Sequence, residues 1–315
     1  MLSHHIILKL SGFLLIWLVG VTGLFGYAIK YNCWAQDSAI PIKDPDVAAI
    51  HFSPVEDKHS PMIDFAELDY QHPLTLAQRL SLTSEVLQNL SQEHLDQLYA
   101  RLTAGSLPDG EFQGEAFLPQ HHRKHLTRVW QILGLVVSSQ TENIYRRLEG
   151  RWMELWQGKV FDRQNKFLQN RVDLKLAHDI APLMGEQFTH ALRTLPKDAL
   201  LFPAKMYCGQ SKLDSRRESI ILDYAYNDDL QQYYRKGIDK IVDRNGLHIR
   251  DEIRMIHPGL YLGRVYLGKV FLVNFMVMNA KLTKIWEEQV MERERSSTTQ
   301  TSFQEDCWTG ASYNK

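Results

Sequence analysis

Cysteine is scarce in this chain, with only Cys33, Cys208 and Cys307 among 315 residues. Three widely separated cysteines exclude a disulfide framework and a cysteine-rich metal site. One bridge, between Cys208 and Cys307, can form in an oxidising compartment. Because Cys307 lies in a Ser/Thr/Gln-rich stretch whose composition predicts disorder, we expect unpaired thiols instead.

An excess of charge of one sign is also lacking. The chain has 36 Lys and Arg residues against 37 Asp and Glu residues, which gives a net charge of −1. No long basic stripe occurs, so nucleic acid is not expected as a partner. The hydrophobic content of 44% is typical of a globular protein and suffices for one large domain, with or without a helical lead-in.

Motifs for nucleophilic catalysis, zinc proteolysis, phosphate binding and dinucleotide binding are missing. His121, His122 and His125 suggest a metal site, since His121 and His125 share a helix face. Arg123 and Lys124 oppose a dication there, and a third ligand is lacking. We therefore predict a solvated basic helix start, no metal and no cofactor, while an enzymatic activity stays open.

One long apolar run is present, from Phe13 to Ile29. Such a run near an amino terminus is either a spanning helix or the core of a secretory signal. Its length favours an uncleaved anchor, although small residues at Gly26–Ala28 and Cys33–Ala35 leave cleavage open. Lys9 favours an orientation with the amino terminus inside. Residues 1–35 are thus a signal anchor or signal peptide, and the bulk of the chain lies outside the cytoplasm, secreted or periplasmic after cleavage.

The segment 36–73 is polar and contains four spaced prolines, which predicts an extended tether or a surface-wrapping segment. From residue 74 to 148 we predict a helical region. Leucines from Leu74 to Leu102 recur at helical spacing, and Ser91 is placed to cap the second helix of a hairpin. Another amphipathic helix is expected from Leu126 to Leu148.

The second half is rich in β-branched and aromatic residues and predicts antiparallel strands. The expected strands are Met153–Phe161, Lys166–Leu174, Leu201–Cys208, Ser219–Tyr226 and three more within Ile249–Asn279. An amphipathic helix, Lys281–Arg295, should close the domain, with Leu282, Ile285, Trp286 and Val290 inward. Residues 296–315 are predicted to form a disordered tail. The fold class is α+β, with the β domain at 149–295.

Strand alternation makes Asp251 a candidate site residue. It shares a face with Ile249 and Ile253, whereas the other face carries Arg250, Glu252 and Arg254. An inward carboxylate needs a donor, which Arg264, Tyr224 or Tyr266 can supply. Two interpretations stay open: a structural ion pair, or a cavity mouth lined by Asp251, Arg264 and Tyr266.

Three short motifs resemble those of the GXWXG-type proteins, which are antiparallel barrels similar to lipocalins. They are Trp156-Gln-Gly-Lys-Val-Phe161, Asp251-Glu-Ile-Arg254 and the pair Leu262-Gly263, within residues 151–279. The resemblance implies a barrel whose interior holds an apolar ligand. The candidate ligand-binding residues are Asp251, Arg254, Arg264, Tyr266, Tyr224, Trp156 and Lys159.

Three functions are therefore considered. The first is a membrane-tethered or exported protein that binds a lipid-like molecule in a barrel. The second is an envelope enzyme acting on a lipid or polymer, with Asp251 as acid or base and Arg264 orienting an anionic group. The third is a scaffold of an envelope assembly that docks through the helical hairpin.

Overall fold

A computed structural model describes residues 44–54, 63–117, 155–184, 186–196, 199–226, 229–230, 237, 239, 248–295 and 306–307. The apolar run Phe13–Ile29 and the expected helix Leu126–Leu148 lie outside these residues and stay predictions, as do the three histidines between 121 and 125. Among the helices in the described part of the chain, none has the length and apolar character needed to cross a bilayer.

The centre of the fold is a closed barrel in which every strand pairs antiparallel with its neighbours along the chain, and β1 pairs with β8. The strands are β1 (Gly110–Phe117), β2 (Trp156–Asp162), β3 (Phe167–Val172), β4 (Leu201–Gln210), β5 (Glu218–Asp223), β6 (Ile249–His257), β7 (Leu260–Leu267) and β8 (Val270–Met278). Closure leaves no unpaired sheet edge. The α+β class and the antiparallel barrel are thereby confirmed.

Strand β1 was not predicted, and the boundary of the helical region at 148 is wrong. Two glycines and two glutamates in Gly110–Phe117 give this strand a weak local β preference. Its position is fixed instead by hydrogen bonding to β2 on one side and β8 on the other. Long-range pairing thus overrides the local sequence, and the barrel begins before residue 149.

The barrel wall has two differently covered faces. On β6, Ile249, Asp251 and Ile253 point into the barrel, and Arg254 and Ile256 point outward but are also buried. Inward side chains from all eight strands belong to one buried cluster. The outward apolar residues of β6, β7 and β8 belong to a second cluster, which helices before the barrel cover.

The covering helices are α1 (Pro45–Ala48), α2 (Phe65–Gln71), α3 (Leu76–Ser81), α4 (Ser84–Asn89) and α5 (Gln92–Arg101). Ser91 caps α5, as predicted, by accepting a hydrogen bond from the His94 backbone N–H at 3.2 Å. The expected hairpin is three short helices, and most of its leucines are buried against the barrel, whereas Leu80 is 37% exposed. Val47 and Leu68 are buried as well, so the described parts of 36–73 wrap the core and are not an extended tether.

The two ends of the barrel differ in their connections. At the short-turn end, strands are joined through residues 163–166, 211–217 and 258–259. At the long-connection end, the links span residues 118–155, 173–200 and 224–248, and the second contains α6 (Leu174–Met184) and α7 (Glu186–Arg193). Leu174, Leu176 and Leu192 from these helices join the buried apolar residues inside the barrel and cover this end.

Helix α8 (Ala280–Arg295) follows the last strand, as predicted. Trp286 and Val290 are buried, but Leu282 and Ile285 are 39% and 42% exposed, so their predicted inward orientation is wrong. The buried pair Trp286 and Val290, four residues apart, lies on one face of the helix. The Trp286 ring stacks on His257 with centroids 4.9 Å apart.

The described part of the tail is attached to the short-turn end. Cys307 forms a disulfide with Cys208 of β4, which corrects the expectation of unpaired thiols and of a wholly disordered tail. Neighbouring Asp306 accepts a hydrogen bond from the Leu107 N–H at 2.7 Å and pairs with Arg163 at 2.8 Å. Because Cys307 is buried among the apolar residues inside the barrel, this short piece of chain closes the end of the barrel from within.

Candidate functional site

Polar side chains form a compact group inside the otherwise apolar barrel. Its members are Lys159 of β2, Asn170 of β3, Asp251 of β6 and Tyr224, which directly follows β5. Each is at most 4% exposed. We call these four residues the interior cluster. It lies in the half of the barrel nearer the long-connection end, because Asp251 is the third residue of β6 and Tyr224 comes just after β5 ends.

A β-bulge between Trp156 and Gly158 orients the β2 side chains. Strict alternation would place residues three apart on opposite faces, but the extra residue lets both Trp156 and Lys159 face the interior. Gly158 has φ 130°, and a Cβ there would lie 2.1 Å from the backbone oxygen of Phe112. The Trp-x-Gly-Lys sequence thus has a structural reason: only glycine fits the bulge that presents the lysine.

The Lys159 ammonium has three hydrogen-bond partners. Its Nζ lies 2.9 Å from Oδ2 of Asp251, 2.6 Å from the Tyr224 hydroxyl and 3.0 Å from Oδ1 of Asn170. An ammonium has three N–H groups, so this geometry uses all of them. All hydrogen-bond donors of Lys159 therefore have acceptors despite its burial.

The remaining members of the interior cluster are bonded to one another. The Tyr224 hydroxyl donates to Oδ2 of Asp251 at 3.1 Å. Nδ2 of Asn170 donates to the Phe202 carbonyl at 2.9 Å and to the Tyr224 hydroxyl at 3.2 Å. Trp156 Nε1 donates to Oδ1 of Asn170 at 3.0 Å. The network fixes the position of every polar side chain in it.

Aromatic rings surround the lysine charge. Nζ of Lys159 lies 5.2 Å from the Trp156 ring centroid, 5.3 Å from Tyr224 and 5.2 Å from Phe275. Phe275 reaches this position because it lies over Gly263, where a Cβ would be 2.2 Å from its ring. Ring faces attract cations, so these contacts partly replace the water that Lys159 has lost.

Burial shifts the pKa values of Asp251 and Lys159 in opposite directions. It raises the pKa of Asp251 above its usual range, although the adjacent ammonium opposes this shift. It lowers the pKa of Lys159, and the Asp251 carboxylate opposes that shift too. Burial also raises the pKa of Tyr224 well above its ordinary value, so the phenol stays protonated. Opposed shifts in a buried pair bring the two proton affinities closer together.

One polar atom of the interior cluster is left over. Oδ1 of Asp251 is buried and has no hydrogen-bond partner among the residues that the structure describes. A buried carboxylate oxygen without a donor costs free energy, and native structures rarely leave one in that state. This oxygen therefore marks the place where the interior cluster can accept one more hydrogen bond.

Arg254, Arg264 and Tyr266 do not belong to this site, which corrects their assignment to a common cavity with Asp251. They lie on the outer face of the wall, beneath helix α5. Arg264 pairs with Asp96 and donates to the Tyr266 hydroxyl at 2.9 Å. The reason is alternation: Arg264 is opposite Glu252 in the ladder, whereas Asp251 is opposite Val265.

Arg254 fastens the helix layer to the barrel. It donates to the Tyr99 carbonyl at 2.9 Å and the Ala100 carbonyl at 3.4 Å, in the last turn of α5. It also donates to Oγ of Ser219 at 3.0 Å. A cation at the carboxyl end of a helix binds the carbonyls that the helix leaves unpaired. The Asp-x-x-Arg sequence therefore combines an interior carboxylate with a structural arginine.

A metal-binding geometry occurs only once within the described ranges, where Cys208, Glu218 and Cys307 come together. The two sulfur atoms are joined in the disulfide, so they cannot serve as thiolate ligands. This group is consequently structural.

Sequence reasoning identified Asp251, Lys159, Tyr224 and Trp156, and the structure brings these four together. It missed Asn170 and Phe275. Asn170 lies between Leu168 and Val172 at the inward positions of a predicted strand, so alternation was a usable signal. No comparable signal marked Phe275 among its apolar neighbours.

A comparison of the chain with family models, curated proteins and solved structures gives no match. The resemblance to GXWXG-type barrels stays a prediction.

Proposed function

We propose that the protein binds a lipid-like, predominantly apolar molecule in its barrel, with the polar end of that molecule at the interior cluster. The unpartnered Oδ1 of Asp251, inside an otherwise apolar barrel, is the observation that carries this proposal. Binding pockets typically combine apolar walls with a few placed polar groups. The long-connection end is the nearer route to the interior cluster, and a ligand that enters there must pass the helices α6 and α7 that cover this end.

A purely structural ion pair explains the interior cluster less well. Burying two charges costs several kcal/mol per ion, and apolar replacements of similar volume are often neutral or stabilising. A barrel interior can be filled by apolar side chains alone. In the interior cluster all three N–H groups of Lys159 have acceptors, but only one oxygen of the Asp251 carboxylate has donors. Recognition of a ligand explains this arrangement better.

The disulfide supports the proposed location outside the cytoplasm. Disulfides persist mainly in oxidising compartments, and Cys208–Cys307 would be reduced in an ordinary cytosol. The apolar run Phe13–Ile29 agrees with export and with one membrane-anchoring helix. We therefore place the barrel on the extracytoplasmic side, beside a membrane that supplies its ligand.

Native mass spectrometry of the full-length chain, purified from its own membrane fraction and followed by lipid extraction, tests the proposal. We expect one apolar molecule per chain. Val265→Phe places a larger side chain opposite Asp251 in the interior and should reduce the bound fraction, whereas Lys269→Ala, in the exposed β7–β8 turn, should not. A bare mass for the wild type, with no extractable lipid, would contradict ligand binding.

A second candidate is an acid–base enzyme that acts on a lipid or polymer of the envelope. The opposed pKa shifts of Lys159 and Asp251 favour it, since such pairs recur at catalytic sites. Arg264 cannot orient a substrate there, because it lies on the other face of the wall. Incubation with envelope lipids, read by mass spectrometry, should yield a product with the wild type and none with Asp251→Asn if this candidate is correct.

The scaffold hypothesis loses most of its docking face. Most of the leucines between Leu74 and Leu102 that would form this face are buried against the barrel in the second cluster, whereas Leu76 is half-buried and Leu80 is 37% exposed. The buried leucines stabilise the protein itself and are not available to a partner.

A further inference from the structure

The hydrogen-bond inventory of the interior cluster restricts the chemistry of its ligand. This inference rests on the proposed function and adds the class of polar group recognised. All three N–H groups of Lys159 have acceptors, and the Asn170 amide and the Trp156 indole donate to named oxygens. The donors are thus engaged within the protein.

The remaining capacity is that of an acceptor. Oδ1 of Asp251 has no donor in the described structure, while Oδ2 receives both Lys159 and Tyr224. A ligand group that only accepts hydrogen bonds, such as an ester, an ether or a carboxylate, finds no partner there. A ligand group that donates a hydrogen bond satisfies Oδ1 of Asp251.

Charge restricts the ligand further. Lys159 already balances Asp251 at 2.9 Å, so the pair is neutral as a whole. A carboxylate ligand would bring a second negative charge next to Asp251 in a medium of low dielectric constant, which is unfavourable. An ammonium ligand would bring a second positive charge next to Lys159. A neutral donor avoids both penalties.

We infer that the barrel binds a long-chain alcohol, that is, a neutral molecule with an apolar body and a hydroxyl group that donates to Oδ1 of Asp251. A simple fatty alcohol and a monoacylglycerol share this chemistry. Fatty-acid carboxylates and esters that carry no hydroxyl group are discriminated against, although their apolar bodies are the same.

The variant Asp251→Asn should reverse this preference. The Lys159 ammonium needs an acceptor where Oδ2 of Asp251 lies, so the carbonyl oxygen of the asparagine takes that position. The amide NH₂ then takes the position of Oδ1. The protein then offers a donor where it offered an acceptor. The variant should lose the alcohol and accept a carbonyl or carboxylate group.

Photolabelling of the full-length chain in detergent tests the inference. The probes are hexadecanol, its methyl ether and hexadecanoic acid, each with a diazirine at the same mid-chain carbon, and peptide mass spectrometry reads labelling of inward residues. We expect the alcohol to label at least about tenfold more than the ether or the acid, as a hydrogen bond to a charged group implies. Competition with unlabelled hexadecanol and with a monoacylglycerol shows which of these two kinds of alcohol binds more tightly.

Each outcome decides a different point. Equal labelling by alcohol and ether, or stronger labelling by the acid, overturns the alcohol inference while ligand binding stands. No labelling of the interior by any probe overturns the proposed function as well. An alcohol preference that persists unchanged in a folded Asp251→Asn variant also overturns the inference, because recognition then lies elsewhere. If that variant does not fold, the comparison of alcohol with ether in the wild type decides alone. Asp223→Asn, which alters an outward carboxylate, is the matched control.

Discussion

Nζ of Lys159 lies 2.9 Å from Oδ2 of Asp251, although the two residues are 92 positions apart in the chain. They belong to β2 and β6, which are not neighbours in the sheet, so the ion pair crosses the barrel interior. Both side chains are at most 3% exposed. This contact connects two opposite parts of the wall through the carboxylate whose other oxygen, Oδ1, we assign to ligand recognition.

Replacement of Lys159 by methionine should strongly destabilise the protein. It leaves Asp251 without its counter-charge, and breaking a buried pair in this way costs about 3–5 kcal/mol. The double variant Lys159→Met/Asp251→Leu should recover most of that loss, since no charge remains buried. Urea unfolding of the wild type and the variants measures both values. Additive losses in the double variant would show that the pair contributes nothing.

Stability should fall as the pH drops below 6.5, partly because of His257. Burial lowers the pKa of His257 from its ordinary value of 6.5, so the unfolded chain binds a proton more readily than the folded one. Between the lowered pKa and 6.5, acidification therefore favours unfolding. His257→Phe keeps a ring against Trp286 and should reduce the slope of the unfolding free energy over this window. An unchanged slope would exclude His257 as a contributor.

Loss of the disulfide should destabilise the barrel by about 2–5 kcal/mol. The bond closes a long loop, since its cysteines are 99 positions apart. Cys307→Ser, or reduction of the wild type, should lower the midpoint of guanidinium unfolding. Cys33→Ser is the control, because Cys33 takes no part in this bond. A midpoint that reductant leaves unchanged would contradict a stabilising role.

Arg254→Met should affect stability but not ligand preference. The substitution removes the charged hydrogen bonds to the last turn of α5, each worth about 1.5–3 kcal/mol. The arginine lies on the outer face, so the ratio of alcohol to ether labelling should stay as in the wild type. Thermal unfolding and photolabelling measure the two effects separately. A changed labelling ratio would place Arg254 in the ligand site.

Much of the barrel could be predicted from the sequence. Strands β2 to β8 carry β-branched and aromatic residues between turn signals, and each was expected near its observed position. Strand β1 has no such signal, because Gly110–Phe117 is a strand only through its two neighbours. Local patterns therefore identified seven of the strands that close the barrel, and a long-range contact determined the eighth.

The candidate site was predicted in part. Alternation placed Asp251 inward with Arg264, Tyr224 or Tyr266 as the expected donor, whereas in the structure the charged partner is Lys159, beside Tyr224. That choice depends on the bulge at Gly158, which turns Lys159 inward, and on the register of β7, which turns Arg264 outward. Bulges and registers are set by backbone pairing across the sheet, so a single strand does not encode them.

The disulfide between Cys307 and Cys208 of β4 also constrains when the protein can complete its folding during biosynthesis. Translation proceeds from the amino terminus, so Cys208 is made with the barrel half complete, and Cys307 only after the last strand. Until then, Cys208 can present a thiol to the oxidising machinery of an oxidising compartment. The disulfide therefore forms only after all eight strands have been synthesised. A chain terminated before Cys307 would keep Cys208 as an unpaired thiol, by which a cell can recognise an incomplete chain.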